Sequence, residues 1–506
     1  MTNLATLLTN SAQRHPHNTA FRSETQSISY RQLDQLTDAM HRQLQDLGVQ
    51  PGDRVAVIAP NVAAMPIAYY GILKAGAVVV PLNPLLTGRE LEGLFRDAEV
   101  SAVLVFQVMA EQVRAVVDGM REEIAVLTLD AAAGTTRDAD GHLPAESSTG
   151  AGPKMVQRGD DDLAVLLYTS GTTGTPKGAM LTHHNLSSNA WMTTRMFDYR
   201  PEDVFLGALP FFHVFGQTVV LNAVIAVGAS VSAVAAFQPR SVLKQVKAHG
   251  ITRFVGVPSM FVAVNSLQRA DREQYPALVN AISGGASIPV EVLKEFETLF
   301  GVTLYEGYGL SETSPVVCFN HPVNERVPGS IGTACEGAEV RILDDSGREV
   351  PRGEIGELAV RGQFVMAGYW KQPEITAKSF TGEFFRTGDV GRQDETDRFF
   401  IVDRKKDMIL HNGYNVYPRE IEEILYEHPA VHEAAVVGQG DITVGQDVVA
   451  CIVLTDDADA DTVVTELRHA AREGLAVYKR PKHYRVMEAL PKGPTGKILK
   501  REITVE

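Results

Sequence analysis

"LAVLLYTSGTTGTPKG", residues 163–178, runs from an apolar stretch into a loop of glycines and hydroxyls with one lysine. Its first seven residues read as a buried strand, and "THHNLSSNAWMTTRMF" at 182–197 reads as a helix that Thr182 can cap. Strand, glycine-rich loop and helix in that order predict backbone amides gathered around an anion, hence phosphate. A Walker loop, G-x-x-x-x-G-K-[ST], does not fit. Counted from Gly171, Pro176 stands where the second glycine belongs, and Gly178 follows Lys177. The stretch is a phosphate loop of another kind or a surface turn.

Upstream, helical and strand patterns alternate. "YRQLDQLTDAMHRQLQDLG" places Leu33, Leu36, Met40 and Leu44 at helical spacing and stops at Gly48, after which "DRVAVIAP" reads as a short buried strand. The helix "AMPIAYYGILKAG" and the strands "AVVVPLN", "VSAVLVF" and "EIAVLTL" repeat the theme. The expectation is an α/β fold with largely parallel, buried sheets. Residues 131–162 lose periodicity and read as a surface connection. From about 403 the character changes to a basic cluster, a turn at Asn412-Gly413, a helix from Pro418, two strand-like runs and a helix near 460–475. The expected organisation is a large domain of layered sheets and helices over 1–402 and a small α+β domain over 403–506.

A formal charge of −15 argues against nucleic acid or an anionic membrane as the main partner. Cys318, Cys335 and Cys451 are far apart and form no C-x-x-C pair, which indicates neither a disulfide framework nor a zinc cluster and suits a reducing cytoplasm. No secretion signal is read at the N-terminus. Residues 214–239 carry no charge, yet Gln217, Asn222, Gly228, Ser230 and Ser232 interrupt them. They read as a buried helix, a glycine stop and a strand rather than a membrane span.

The motifs "YTSGTTGTPKG", "PFFHVFG", "SGGASIP", "YEGYGLSET", "FFRTGDVG", "FIVDRKKDMILHNGYNVYPREIE" and "PTGKILKREI" follow one another in this order. As a set, spread over essentially the whole chain, they resemble the acyl-adenylate-forming enzymes: acyl-CoA synthetases, amino-acid adenylation domains and firefly luciferase. The resemblance is nearest to medium- or long-chain fatty-acid–CoA ligases. It implies a mobile C-terminal domain and a two-step reaction, in which a carboxylate attacks the α-phosphate of ATP and a thiol then attacks the acyl-AMP. Anions that repel are brought together, so positioning and positive charge should dominate catalysis.

By the same resemblance, Thr169, Ser170, Gly171, Thr172, Thr173, Gly174 and Lys177 wrap the β- and γ-phosphates. Glu312 is implied as the Mg²⁺ ligand with Thr169 as helper, oxygen donors suited to a hard cation. Tyr308, Gly285 and the backbone of Glu306, Gly307 and Gly309 form the adenine slot, with Ala286 and Ser311 beside them. Asp389 accepts from the ribose hydroxyls, and Arg404 helps hold the nucleotide. Lys497 supplies charge in adenylation, His213 gates the acyl pocket, and Lys406 matches the hinge about which the small domain turns.

Amino-acid adenylation domains carry an aspartate in an F-D motif, where this chain has Phe237-Gln238. An uncharged acid is favoured, fatty acids first and aryl acids such as hydroxycinnamates second. The implied acceptor is coenzyme A, with the phosphopantetheine of a carrier protein as the alternative. Asn412, where many relatives have glycine, puts the acceptor geometry in question. A nucleotide-binding module without catalysis is the other class, and the intact Glu312, Asp389, Arg404 and Lys497 speak against it. Oligomeric state is left open.

Overall fold

The computed structural model describes residues 3–23, 26–130, 136–137, 153–169, 176–271, 275–411, 414–440, 445–493 and 496–505. Among these, an eight-stranded sheet runs, edge to edge, through Gly368–Tyr369, Lys177–Thr182, Leu163–Thr169, Val78–Leu82, Arg54–Ile58, Val100–Phe106, Ala125–Leu129 and Thr136–Arg137. The five strands from Leu163–Thr169 to Ala125–Leu129 are parallel. Their Val-, Leu- and Ala-rich runs are buried on both faces, as helix-covered parallel sheets require.

Helix Tyr30–Asp46 packs against helix Ala64–Lys74. The first starts at a capping box, Ser29 accepting from the Gln32 N–H while the Gln32 side chain accepts from Ser29. The second is buried all round, which explains why its sequence carries no polar face.

A second sheet of nine strands runs through Thr333–Ala334, Val316–Phe319, Thr303–Gly309, Asn280–Ser283, Arg253–Gly256, Val204–Gly207, Ser230–Ala233, Thr19–Arg22 and Ser27–Ser29. The run from Thr303–Gly309 to Thr19–Arg22 is parallel. A third, antiparallel sheet is built on Ala338–Leu343, Gly356–Gly362 and Phe384–Gln393, with Phe399–Arg404 paired to the last. Towards the C-terminus, Val431–Gln439, Asp447–Leu454 and His483–Val486 form a sheet of their own. With helices Pro418–Tyr426 and Ala460–Gly474 they enclose a hydrophobic cluster drawn from residues 409–475.

The alternation expected between residues 30 and 129 is found strand for strand. The loop at 163–178 has a different context from the one expected. Between it and the helix His183–Met196 lies the strand Lys177–Thr182, antiparallel to Leu163–Thr169. The two strands flanking the loop thus pair with each other, and the helix begins only at His183, after the second of them. Thr182 does cap the helix, accepting from the Asn185 N–H at 3.1 Å.

The uncharged stretch after His213 is helical, stops at Gly228 with φ +83°, and continues as strand Ser230–Ala233. Its first part, Gly216–Asn222, is a π-helix, a feature hydrophobic periodicity does not announce. No helix among the described residues is long and apolar enough to cross a membrane. Most of the connection read at 131–162, and the turn Asn412-Gly413, lie outside the described residues.

Candidate active site

The sequence-derived candidates gather beyond the carboxyl ends of the parallel strands, where open α/β sheets leave a crevice. Strand Asn280–Ser283 delivers Gly284, Gly285 and Ala286, and strand Thr303–Gly309 delivers Glu306 to Gly309. Both segments press backbone against side chains. A Cβ on Gly284 would lie 2.9 Å from the Phe215 ring, and one on Gly307 would enter the Phe319 ring. Gly285 has φ +82°, a conformation that glycine adopts without strain. The Glu306 side chain is buried and turned to the next loop: its Oε1 accepts from the Ile288 N–H at 3.2 Å, and its Oε2 has no partner. Burial pushes this carboxyl up to about 7.

Asp389 stands across from Arg404 in paired antiparallel strands. The Tyr308 hydroxyl donates to Asp389 Oδ2 at 2.7 Å, and Arg404 Nε lies 3.4 Å from Oδ1. The corner is braced from behind by Glu357, which accepts from the Gly388 N–H at 3.1 Å and pairs with Arg386. Burial and Asp389 keep the Tyr308 phenol protonated, so it stays a donor. An aromatic face, a carboxylate and a guanidinium thus occupy one corner, the inventory needed to hold a purine, a diol and a phosphate.

Glu312 follows in a single helical turn, Ser311–Thr313. Its Oε1 accepts from the Tyr369 hydroxyl at 2.9 Å, and its own carbonyl accepts from the Met366 N–H at 2.8 Å. Withdrawal from water raises this carboxyl, and the Tyr369 bond works against that rise. Thr169 ends its strand with Oγ1 3.5 Å from the Lys177 carbonyl oxygen, and the Lys177 ammonium lies 5.3 Å from the Tyr369 ring centroid. Among the described residues no group of three or more His, Cys, Asp or Glu could hold a metal. One carboxylate and one hydroxyl suit a divalent cation that shares its ligands with substrate phosphates and water, as Mg²⁺ does.

The last motif comes to this corner from the far end of the chain. Lys497 Nζ lies 3.5 Å from the Gly285 carbonyl oxygen. Gly496 before it has φ +78°, and a Cβ there would lie 2.7 Å from Ser259 Oγ. Loss of hydration and the nearby Arg404 push the lysine down to about 7. His213 Nδ1 accepts from the Phe215 N–H at 3.3 Å. Burial and the Lys497 charge push the imidazole down to about 4, which makes it a neutral ring at physiological pH. Lys406 is exposed just after strand Phe399–Arg404.

Lys497, Gly285, His213, Tyr308, Asp389 and Arg404 are therefore drawn together from segments nearly 300 residues apart in sequence. Ser170, Gly171, Thr172, Thr173 and Gly174 lie outside the described residues. Sequence reading passed over Glu357 and Tyr369. Glu357 gives no local signal among the acidic residues of "GEIGEL", whereas the aromatic pair in "MAGYW" was a legible flag.

Residues 8–370 match the AMP-binding enzyme family, and residues 420–497 match the AMP-binding enzyme C-terminal domain. A long-chain-fatty-acid–CoA ligase of Bacillus subtilis (strain 168) is 38% identical, the alignment covering 99% of this chain and 94% of that one. A feruloyl-CoA synthase of an Amycolatopsis species is 35% identical, over 97% and 96% of the two chains. Among solved structures, ATP-bound MatB from Rhodopseudomonas palustris superposes with a TM-score of 0.88 at 32% identity, over 98% of this chain and 97% of that one.

Proposed function

Because the chain belongs to the AMP-binding enzyme family, we propose that it converts a carboxylic acid and ATP to acyl-AMP and pyrophosphate, then transfers the acyl group to coenzyme A. The acid proposed is a fatty acid, in line with the bacterial long-chain relative and with the apolar run that follows His213. The observation that supports adenylation most is the approach of Lys497 Nζ to within 3.5 Å of the Gly285 carbonyl, beside Arg404, Asp389 and Tyr308. A flexible ammonium there faces the place where negative charge accumulates.

In the first step a carboxylate oxygen forms a bond to the α-phosphorus, and the bond from that phosphorus to the bridging oxygen breaks, its electron pair leaving with pyrophosphate. Lys497 and Arg404 oppose the charge gathered there. Asp389 orients the ribose, and Tyr308 covers one face of the purine beside the Gly285 backbone, while the missing Cβ of Gly307 makes room for the Phe319 ring behind it. Glu312 and Thr169 would hold Mg²⁺, whose chemistry is to neutralise the departing pyrophosphate. In the second step the thiol sulfur attacks the acyl carbonyl, AMP leaves, and the thiol proton passes to solvent. We place the domain boundary at 402/403 and the enzyme in the cytoplasm. Lys497 then belongs to a small domain that closes for adenylation and turns at Lys406 for thioester formation.

An aryl acid is the second reading, favoured by the feruloyl-CoA synthase relative and by the buried, unpartnered Gln217 Oε1 and Thr218 Oγ1 shortly after His213. A hydroxamate-trapping screen of carboxylic acids, with coenzyme A or a holo carrier protein as acceptor and mass spectrometry of the product, tests both. Palmitate or a shorter fatty acid trapped, and converted with coenzyme A, supports the first reading. Trapping of hydroxycinnamates alone overturns it in favour of the second.

A further inference from the structure

Residues 366–370 form a short strap between two parts of the ATP site. On one side it pairs with the strand that leaves the phosphate loop: Gly368 and Tyr369 face Met180 and Ala179, and the Trp370 N–H donates to the Gly178 carbonyl at 2.8 Å. On the other side it grips Glu312 twice, through the Met366 N–H on the Glu312 carbonyl and the Tyr369 hydroxyl on the carboxylate. Tyr369 is itself fixed. It is 7% exposed, and its N–H donates to Thr376 Oγ1 at 2.8 Å.

From this geometry, and resting on the reading of Glu312 as the cation ligand, we infer that Tyr369 is a positioning residue of the ATP site. Its hydroxyl aims the Glu312 carboxylate, and its ring face seats the Lys177 ammonium. The hydroxyl donates to Oε1 at 2.9 Å, which fixes the orientation of the carboxylate and leaves its other oxygen for the cation. The ring carries the second task. With the ammonium 5.3 Å from its centroid, Tyr369 holds Lys177 without neutralising it, so the full charge remains for a phosphate. One side chain thus sets the spacing between the metal carboxylate and the loop lysine, two groups 135 residues apart in sequence.

The test is Mn²⁺ titration of the ATP complex by electron paramagnetic resonance, with ATP binding in EDTA measured by calorimetry. Tyr369→Phe keeps the ring and removes the hydroxyl. It is expected to weaken Mn²⁺ binding about tenfold, the usual scale for loss of a partner behind a metal ligand, and to leave metal-free ATP binding unchanged. Tyr369→Leu, which removes the ring as well, is expected to weaken metal-free ATP binding too. The double variant Tyr369→Phe, Glu312→Gln should bind Mn²⁺ no worse than Glu312→Gln alone, since the hydroxyl acts through that carboxylate.

Parent-like Mn²⁺ affinity in Tyr369→Phe, with weak affinity in Glu312→Gln, overturns the role of Tyr369 and leaves Glu312 as ligand. Parent-like affinity in both overturns the ligand reading itself. Additive losses overturn the inference as well. Thermal unfolding without metal checks integrity. If Tyr369→Phe melts early, Tyr369→Met, which cannot donate a hydrogen bond, carries the Mn²⁺ comparison.

Discussion

Around Asp389, charge is held by charge: Arg404 faces it, Tyr308 donates to it, and Glu357 with Arg386 braces the strand behind. Lys497, in the same corner, has a carbonyl oxygen at 3.5 Å as its contact, and its ammonium is pushed down to about 7. The first arrangement is complete before any nucleotide arrives, because Asp389, Arg404, Glu357 and Arg386 sit in the register of one antiparallel sheet and Tyr308 reaches Asp389 from a strand of the nine-stranded one. The second is provisional. Its cation lies beside another cation, a placement that costs free energy until a polyanion comes between them. On the proposed function the difference divides the tasks: the sheet corner would recognise the nucleotide, and the lysine would respond to it.

The sharpest way to break the comparison is Lys497→Ala. Carboxylate-dependent ATP–pyrophosphate exchange should fall by about three orders of magnitude, the scale on which a single preorganised charge-stabilising group acts. Thioester formation from supplied acyl-AMP should persist, because the lysine is needed only while the α-phosphate reacts. Equal losses in the two half-reactions would mean that the lysine is structural.

Glu306 sharpens the contrast from below the site. Its carboxyl is raised from about 4.5 to about 7 by burial, so between those values the folded protein holds a proton that the unfolded chain has released. Stability from this group is therefore present at low pH and is lost as pH rises towards 7. Glu306→Gln should flatten the fall between pH 5 and pH 8, by up to about 3 kcal/mol from the size of the shift. Denaturant unfolding of parent and variant at both pH values measures it, and parallel curves would discard the buried-acid account.

A smaller effect is expected at Asp389. Asp389→Asn keeps the acceptor for Tyr308 but removes the charge opposite Arg404, so the KM for ATP should rise about tenfold, in keeping with loss of a charge-assisted bond. Turnover at saturating ATP should change less. A fall in kcat with KM unchanged would move Asp389 from recognition into the chemical step.

Much of this corner was legible because each part lies in a short motif: "RTGD" carries Asp389, "YGLSET" carries Glu312, and "PTGK" carries Lys497. What escaped is what sheet pairing creates between motifs. Tyr369 meets Glu312 across 57 residues because a two-residue strand at the sheet edge happens to face Ala179 and Met180. Strand Lys177–Thr182 was hidden because a loop and a helix cap both claimed its residues. The π-turn in Gly216–Asn222 left no trace because every position there is buried, so there is no polar face to fall out of step. Strand His483–Val486 was missed for the opposite reason, having one β-branched residue among polar ones at a sheet edge.

The finest test concerns the lysine without substrate. Docked, Lys497 has an affinity for protons near pH 7; released into water, near 10.5. Docking therefore sheds a proton anywhere between those values, and the docked form of the ATP-free enzyme gains population as pH rises through that window and is least favoured below it. Lys497 is only partly buried, so solvent screens much of the effect, and a change of less than about tenfold between pH 7 and pH 9 is expected. A fluorophore pair on exposed Lys378 and Glu473, each replaced by cysteine, would follow it as energy transfer. Lys497→Met should remove the pH dependence. ATP should reverse its sign, because the triphosphate favours the charged lysine and binds it best where it is fully protonated. A docked fraction that falls with pH in the ATP-free enzyme would show that the corner attracts the ammonium before ATP arrives, and would erase the distinction between a finished recognition site and a lysine that waits for its anion.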